Sequence, residues 1–155
     1  MSENFIKKIF FDKFKIQCKK IEENKGQNGE TPDFLLFKNN LKFAVCEVKK
    51  ITDDNKCEPY EKISAPAITK IAHKIKKASE QMKQYTLPKV LVFVDYNTDF
   101  VESLKLVISE HSRASEIDLY IWINKGSVNK VDDLSFGYRN DNEKGKKLMK
   151  YFNKI

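Results

Sequence analysis

The sequence predicts a single α/β domain, and three observations carry that expectation. Apolar residues recur at helical spacing in some segments and at a spacing of two in others, in the order α, three strands, α, β, α, β, α. One run, Lys89–Asp95, is apolar between turn residues, as a central strand covered on both faces requires. The length of 155 residues suits one core, and no repeat, low-complexity tract or linker divides it, so the expected domain spans 1–155.

Ser2 is a candidate cap for a short first helix whose residues Phe5, Ile6, Ile9 and Phe10 share one face. From Phe14 the period changes to two, with Phe14, Ile16 and Cys18 alternating against lysine and glutamine, the pattern of a half-buried strand. Lys25–Gly29 reads as a loop. Phe34–Phe37 and Leu41–Lys50 then form two apolar runs around an Asn-Asn turn, a predicted hairpin. Ser64 and Pro66 suit the start of a long helix with a core stripe of Ile68, Ile71, Ala72, Ile75, Ala78, Ser79 and Met82, ended by Leu87-Pro88. After the central strand, residues from about Asp99 to His111 read as helix, Asp118 to Asn124 as strand, and Asn142 to Phe152 as a basic terminal helix.

Composition narrows the partners. Hydrophobic residues at 41% and aromatics at 12% exclude a disordered chain, and 33% charged residues exclude a membrane-embedded one. No run approaches the ~18 apolar residues of a membrane span, and Met1–Phe5 lacks a secretory pattern, so the expected compartment is the cytoplasm with no membrane partner. The net charge of +7 attracts phosphate, although almost all of it is lysine, with Arg113 and Arg139 the only arginines. Cys18, Cys46 and Cys57 lack metal or disulfide spacing, and Cys18 and Cys46 read as small buried hydrophobes. His73 and His111 are too few and too far apart for a helical metal motif and read as helix surface or caps.

The chemistry concentrates on the hairpin. Alternation puts Glu47 and Lys49 on one face of their strand, continuing the parity of Leu41, Phe43 and Val45. An odd loop of Lys38, Asn39 and Asn40 sets Asp33 opposite Val45 and diagonal to Glu47, whereas an even loop turns it away. Two carboxylates ~4 Å apart repel by about 4 kcal/mol at an effective dielectric near 20. A hard divalent cation relieves that repulsion, with carboxylate oxygens, a backbone carbonyl and waters as its ligands, and lowers the pKa of a bound water. The plain alternative is a strand start at Asp33 and two charges at a wet strand end.

Thr31-Pro32-Asp33-Phe34-Leu35, Cys46-Glu47-Val48-Lys49 and the element order around them resemble the PD-(D/E)XK nuclease superfamily over about residues 2 to 95. The resemblance implies a restriction-endonuclease-like αβββαβ core, with a mixed central sheet flanked by helices and extra C-terminal α-β-α elements. It implies Mg²⁺ or Mn²⁺ held by Asp33, Glu47 and the Val48 carbonyl, with Lys49 serving the nucleophilic water. Gln81-Met82-Lys83-Gln84-Tyr85 is similar to the Q-x-x-x-Y element of exonuclease-like branches, which gives Gln81 a role in positioning substrate or water. Many members also place a glutamate on the first helix; Glu3 fits that position best, ahead of Glu22 and Glu23 at the end of the first strand. Lys70, Lys74, Lys77, Gln81 and Tyr85 form a stripe beside the apolar one and a candidate phosphate-facing edge. The basic stretch Lys144–Lys150 is a second candidate, or an ordinary amphipathic cap.

The expected activity is therefore metal-dependent hydrolysis of phosphodiester bonds in DNA, with RNA left open. A Holliday-junction-resolvase-like enzyme is the nearest branch, and such enzymes are usually dimeric, which leaves a homodimer open. The competing reading is a catalytically inactive module of the same fold that binds nucleic acid or protein.

Overall fold

Helix α1 (Ser2–Phe14) buries Ile6, Ile9, Phe10 and Phe14 along one face. In this computed structural model the described residues are 2–22, 31–51, 65–95, 116–125, 131–139 and 141–152. The helix runs further than its spacing suggested, and Phe14 belongs to it rather than to the first strand. Its end is a left-handed cap: Lys15 has φ 58°, the Lys15 N–H donates to the Phe11 carbonyl at 3.0 Å, and the Ile16 N–H donates to the Phe10 carbonyl at 3.1 Å. The Lys15 bond is the 5→1 bond of an αL cap, here closed by a residue other than glycine, with Phe10 and Ile16 both buried beneath it.

Strand β1 (Gln17–Lys20) pairs antiparallel with β2 (Phe34–Lys38), which pairs antiparallel with β3 (Leu41–Ile51). Asn39 and Asn40 turn the hairpin with φ of 53° and 64°, the left-handed pair that a two-residue turn needs to match strand twist. Helix α2 (Ala65–Met82) then carries the chain across the sheet to β4 (Lys89–Asp95), parallel to β3 and buried at every position. Strand β5 (Leu119–Lys125) extends the parallel set, and β6 (Val131–Gly137) closes the sheet antiparallel. Among the described residues the sheet is mixed, with six strands in the order β1-β2-β3-β4-β5-β6.

Helices cover both faces. Val90, Val92 and Val94 pack with α1 and with α3 (Glu143–Met149), whereas Leu91 and Phe93 pack with Ile71, Ile75, Ala78 and Met82 of α2. Each buried aliphatic or aromatic side chain of these layers contributes about 1.5–3 kcal/mol relative to exposure. The chain after α3 continues as one 3₁₀ turn (Lys150–Phe152), whose Phe152 meets Phe10 and Phe14 edge-on and whose Tyr151 stacks on Phe43 at 4.1 Å.

The α2 stripe is as predicted from Ile71 to Met82, and the strand expected over 118–124 is β5. Strand β6 was not expected, and the C-terminal part of the described chain reads β-β-α. The segments expected as a loop at 25–29 and as a helix at 99–111 lie outside the described residues, as do Cys57, Ser64 and His111. Among the described residues, no helix is long and apolar enough to cross a membrane.

Candidate active site

A bulge decides which side of the sheet Asp33 faces. The turn has two residues rather than three, so by loop parity alone Asp33 faces away from Glu47. The register shifts beyond Leu36, however, from Phe37↔Lys42 to Leu36↔Ala44, leaving Phe43 as the extra residue. Phe43 and Ala44 consequently both enter the α1-side core, and Phe43 does not share the face of Val45, Glu47 and Lys49. Beyond the bulge Phe34 pairs with Cys46, and one more step of that register sets Asp33 directly opposite Glu47, not Val45. An even turn and a one-residue bulge together restore the face that an odd loop was expected to provide.

Val45 and Ile51 are buried against α2, so Glu47 and Lys49, which alternate between them, also face that helix. Asp33 Oδ2 accepts the Val48 backbone N–H at 2.8 Å, which clamps the start of β2 to the middle of β3. Lys49 Nζ lies 3.0 Å from Glu47 Oε2 and donates to Gln81 Oε1 of α2 at 2.9 Å. The Glu47 side chain is 4% exposed and that of Lys49 16%, while Asp33 and Gln81 are half-buried. Four of the residues singled out in the sequence therefore meet in one cluster that opens to solvent on one side.

The electrostatics are unequal. Burial pushes the Glu47 carboxyl from its ordinary 4.5 up to about 8, and a hydrogen bond to Asp33 and its charge push the same way, while Lys49 opposes them. At neutral pH without a counter-cation, Glu47 favours its protonated form. Burial likewise raises both thiols, Cys18 to about 12 and Cys46 well above its usual range, which disfavours the thiolate form of each.

No family model, curated protein or solved structure matches this chain. Its own chemistry is what remains to read. Among the described residues no three of His, Cys, Asp and Glu gather into a metal-binding group. The carboxylates that meet at the site are those of Asp33 and Glu47. That fits an ion such as Mg²⁺, which keeps several waters and takes one or two carboxylates from the protein, better than it fits zinc.

The remaining expected residues distribute differently. Lys70, Lys74 and Lys77 follow Gln81 along α2, with Lys77 exposed and the other two half-buried. Tyr85 does not share that face, because α2 ends at Met82; Tyr85 packs on the α2-side core, its N–H donates to the Met82 carbonyl at 3.0 Å, and its carbonyl accepts Lys89 Nζ at 2.8 Å. Glu3 sits in the first turn of α1, with its side chain outside the described residues, as is all of Glu23. Glu22 follows β1 and is exposed. One carboxylate on the site's face went unremarked in the sequence: Asp95, opposite Ile51 at the end of β4. It is fully buried and accepts the Trp122 indole N–H at 3.2 Å, a bond that ties β4 to β5. No spacing signal separates such a residue from an ordinary strand end.

Proposed function

We propose that this protein is a divalent-metal-dependent nuclease that hydrolyses phosphodiester bonds in DNA, on a restriction-endonuclease-like core. The observation that carries the reading is the joining of Asp33, Glu47, Lys49 and Gln81 on one face of the sheet. Asp33 and Glu47, with the Val48 carbonyl, are the groups that would hold Mg²⁺ or Mn²⁺. When bound, the ion supplies a lowered pKa for water and positive charge beside the phosphate.

The chain's own residues do the rest. Water oxygen bonds to phosphorus as the bond to the leaving oxygen breaks, the water releases a proton to solvent while the leaving oxygen takes one up from solvent, and negative charge grows on the non-bridging oxygens. Lys49, a fixed ammonium at 3.0 Å from Glu47, orients the attacking water and stabilises that charge. Gln81 also accepts a hydrogen bond from Lys49, a second contact that keeps the ammonium at the cluster. Lys70, Lys74 and Lys77 extend the positive edge along α2, where a phosphate backbone can track.

The test is cleavage of supercoiled, linear, single-stranded and branched DNA with Mg²⁺, Mn²⁺ or EDTA. Wild type is expected to cut at least one substrate with metal and none with EDTA, and Lys49→Ala to lose ~100-fold or more, as removal of a charge-stabilising donor does. Folded wild type that binds DNA but cuts nothing under any metal would make the protein a binding module instead.

A further inference from the structure

The outer edge of β1 borders a trough of about 660 Å³, within the size range of ligand sites. All four residues of β1 line it, together with Lys7 and Phe11 of α1 and the turn end of β2. Successive side chains of a strand point to opposite faces, so a space touching all four lies along the strand's edge rather than on either face. Among the described residues β1 pairs only with β2. The Ile21 N–H donates to the Asp33 carbonyl at 3.1 Å, and by alternation Lys19 and Gln17 also turn their backbone groups towards β2, while Cys18 turns its own outwards. The lining contains lysines and no carboxylate, and Phe11 stands 47% exposed beside them.

These features select one kind of occupant. A second copy pairing edge to edge in the register that joins Cys18 to Lys20 would set Lys19 against Lys19, and like charges across a strand pair destabilise it. A single nucleic-acid strand needs open aromatic faces on which bases stack, but Lys15 Nζ lies over the Phe11 ring at 5.1 Å and Phe37 is half-buried. Phosphates also offer no donor to the outward Cys18 carbonyl. An extended polypeptide offers both donors and acceptors, and edge lysines, which deter neutral and basic strands, favour an acidic one. We propose that the edge of β1 is a docking groove for an acidic, extended segment of a partner protein, which adds as a strand and sets its carboxylates against Lys7 and Lys19.

The probe is a short fluorescent peptide of Glu-Glu-Val repeats, which presents carboxylates on both faces of a strand, titrated into the full chain and followed by anisotropy and by amide chemical shifts. Binding is expected, with shifts confined to Gln17–Lys20, Lys7 and Phe11. Lys19→Glu or Lys7→Glu should weaken it about tenfold or more, a loss typical of opposed like charges. Lys8→Glu, on the same helix but outside the groove, should leave it unchanged and controls for net charge; circular dichroism checks that each variant folds. A peptide N-methylated at alternate residues should bind more weakly, because strand addition needs its N–H groups. No binding, or equal binding of the N-methylated peptide, overturns the proposal. Tighter binding of oligothymidylate to the same residues, or self-association abolished by Lys19→Glu, overturns it in favour of a nucleic acid or a second copy.

Discussion

Glu47 is held between two neighbours that want opposite things of it, since Asp33 favours its proton and Lys49 favours its charge. Burial decides for the proton, raising the carboxyl to about 8 from 4.5. A raised acid pKa means that the folded chain binds the proton more tightly than the unfolded one. The stabilisation is complete below pH 4.5 and is lost as pH rises through about 8. In EDTA, the melting temperature should therefore decline over that window more steeply for wild type than for Glu47→Gln, which keeps the neutral shape at every pH. Mg²⁺ competes with the proton for the same oxygens, so it should raise the wild-type melting temperature more at pH 8 than at pH 6; equal increases at both would count against Asp33 and Glu47 as its ligands. Gln81 allows a second check. It touches Lys49 and not the carboxylates, so Gln81→Ala should lower kcat about tenfold while leaving KM and the Mg²⁺ effect on melting intact.

At the scale of elements, the hairpin shows what a sequence can and cannot disclose. Its two arms, its Asn-Asn turn and the carboxylates at its open end were all legible, because composition and alternation act locally. The bulge at Phe43 was not, since Phe37 and Phe43 are equally apolar on either register and only packing against α1, α3 and Phe152 selects one. Asp33 met Glu47 for a different reason from the expected one. The C-terminal strand escaped because Asp132 and Asp133 sit in β6, where strands rarely carry them, and the extent of α1 because a lysine rather than a glycine closes it. Two substitutions test these elements by urea denaturation. Asn40→Gly relieves a left-handed asparagine in the turn and should stabilise by about 0.5 kcal/mol. Gly145→Ala should destabilise by ~1–3 kcal/mol, because a β-carbon there would stand 2.5 Å from the Asp118 carbonyl oxygen and 2.8 Å from Tyr138 Cβ.

Across the whole molecule, the sheet separates two lysine-bearing surfaces that net charge alone cannot rank. Lys70, Lys74 and Lys77 lie on the α2 side, in line with Gln81, whereas Lys144, Lys146 and Lys147 ride on α3, whose Gly145 and Leu148 are buried against the opposite layer. A duplex whose scissile phosphate reaches Lys49 runs along the first surface and misses the second. Each lysine that neutralises a phosphate contributes ~0.9 to the slope of log affinity against log salt. Replacing Lys70, Lys74 or Lys77 by Ala should therefore flatten the slope of DNA binding, measured in EDTA from low to moderate salt, by about 0.9 apiece. Lys144→Ala and Lys147→Ala should leave it unaltered. The reverse pattern would put the nucleic acid on the α1 and α3 face, with the sheet between it and the Glu47 cluster, and hydrolysis at that cluster would then have no substrate within reach.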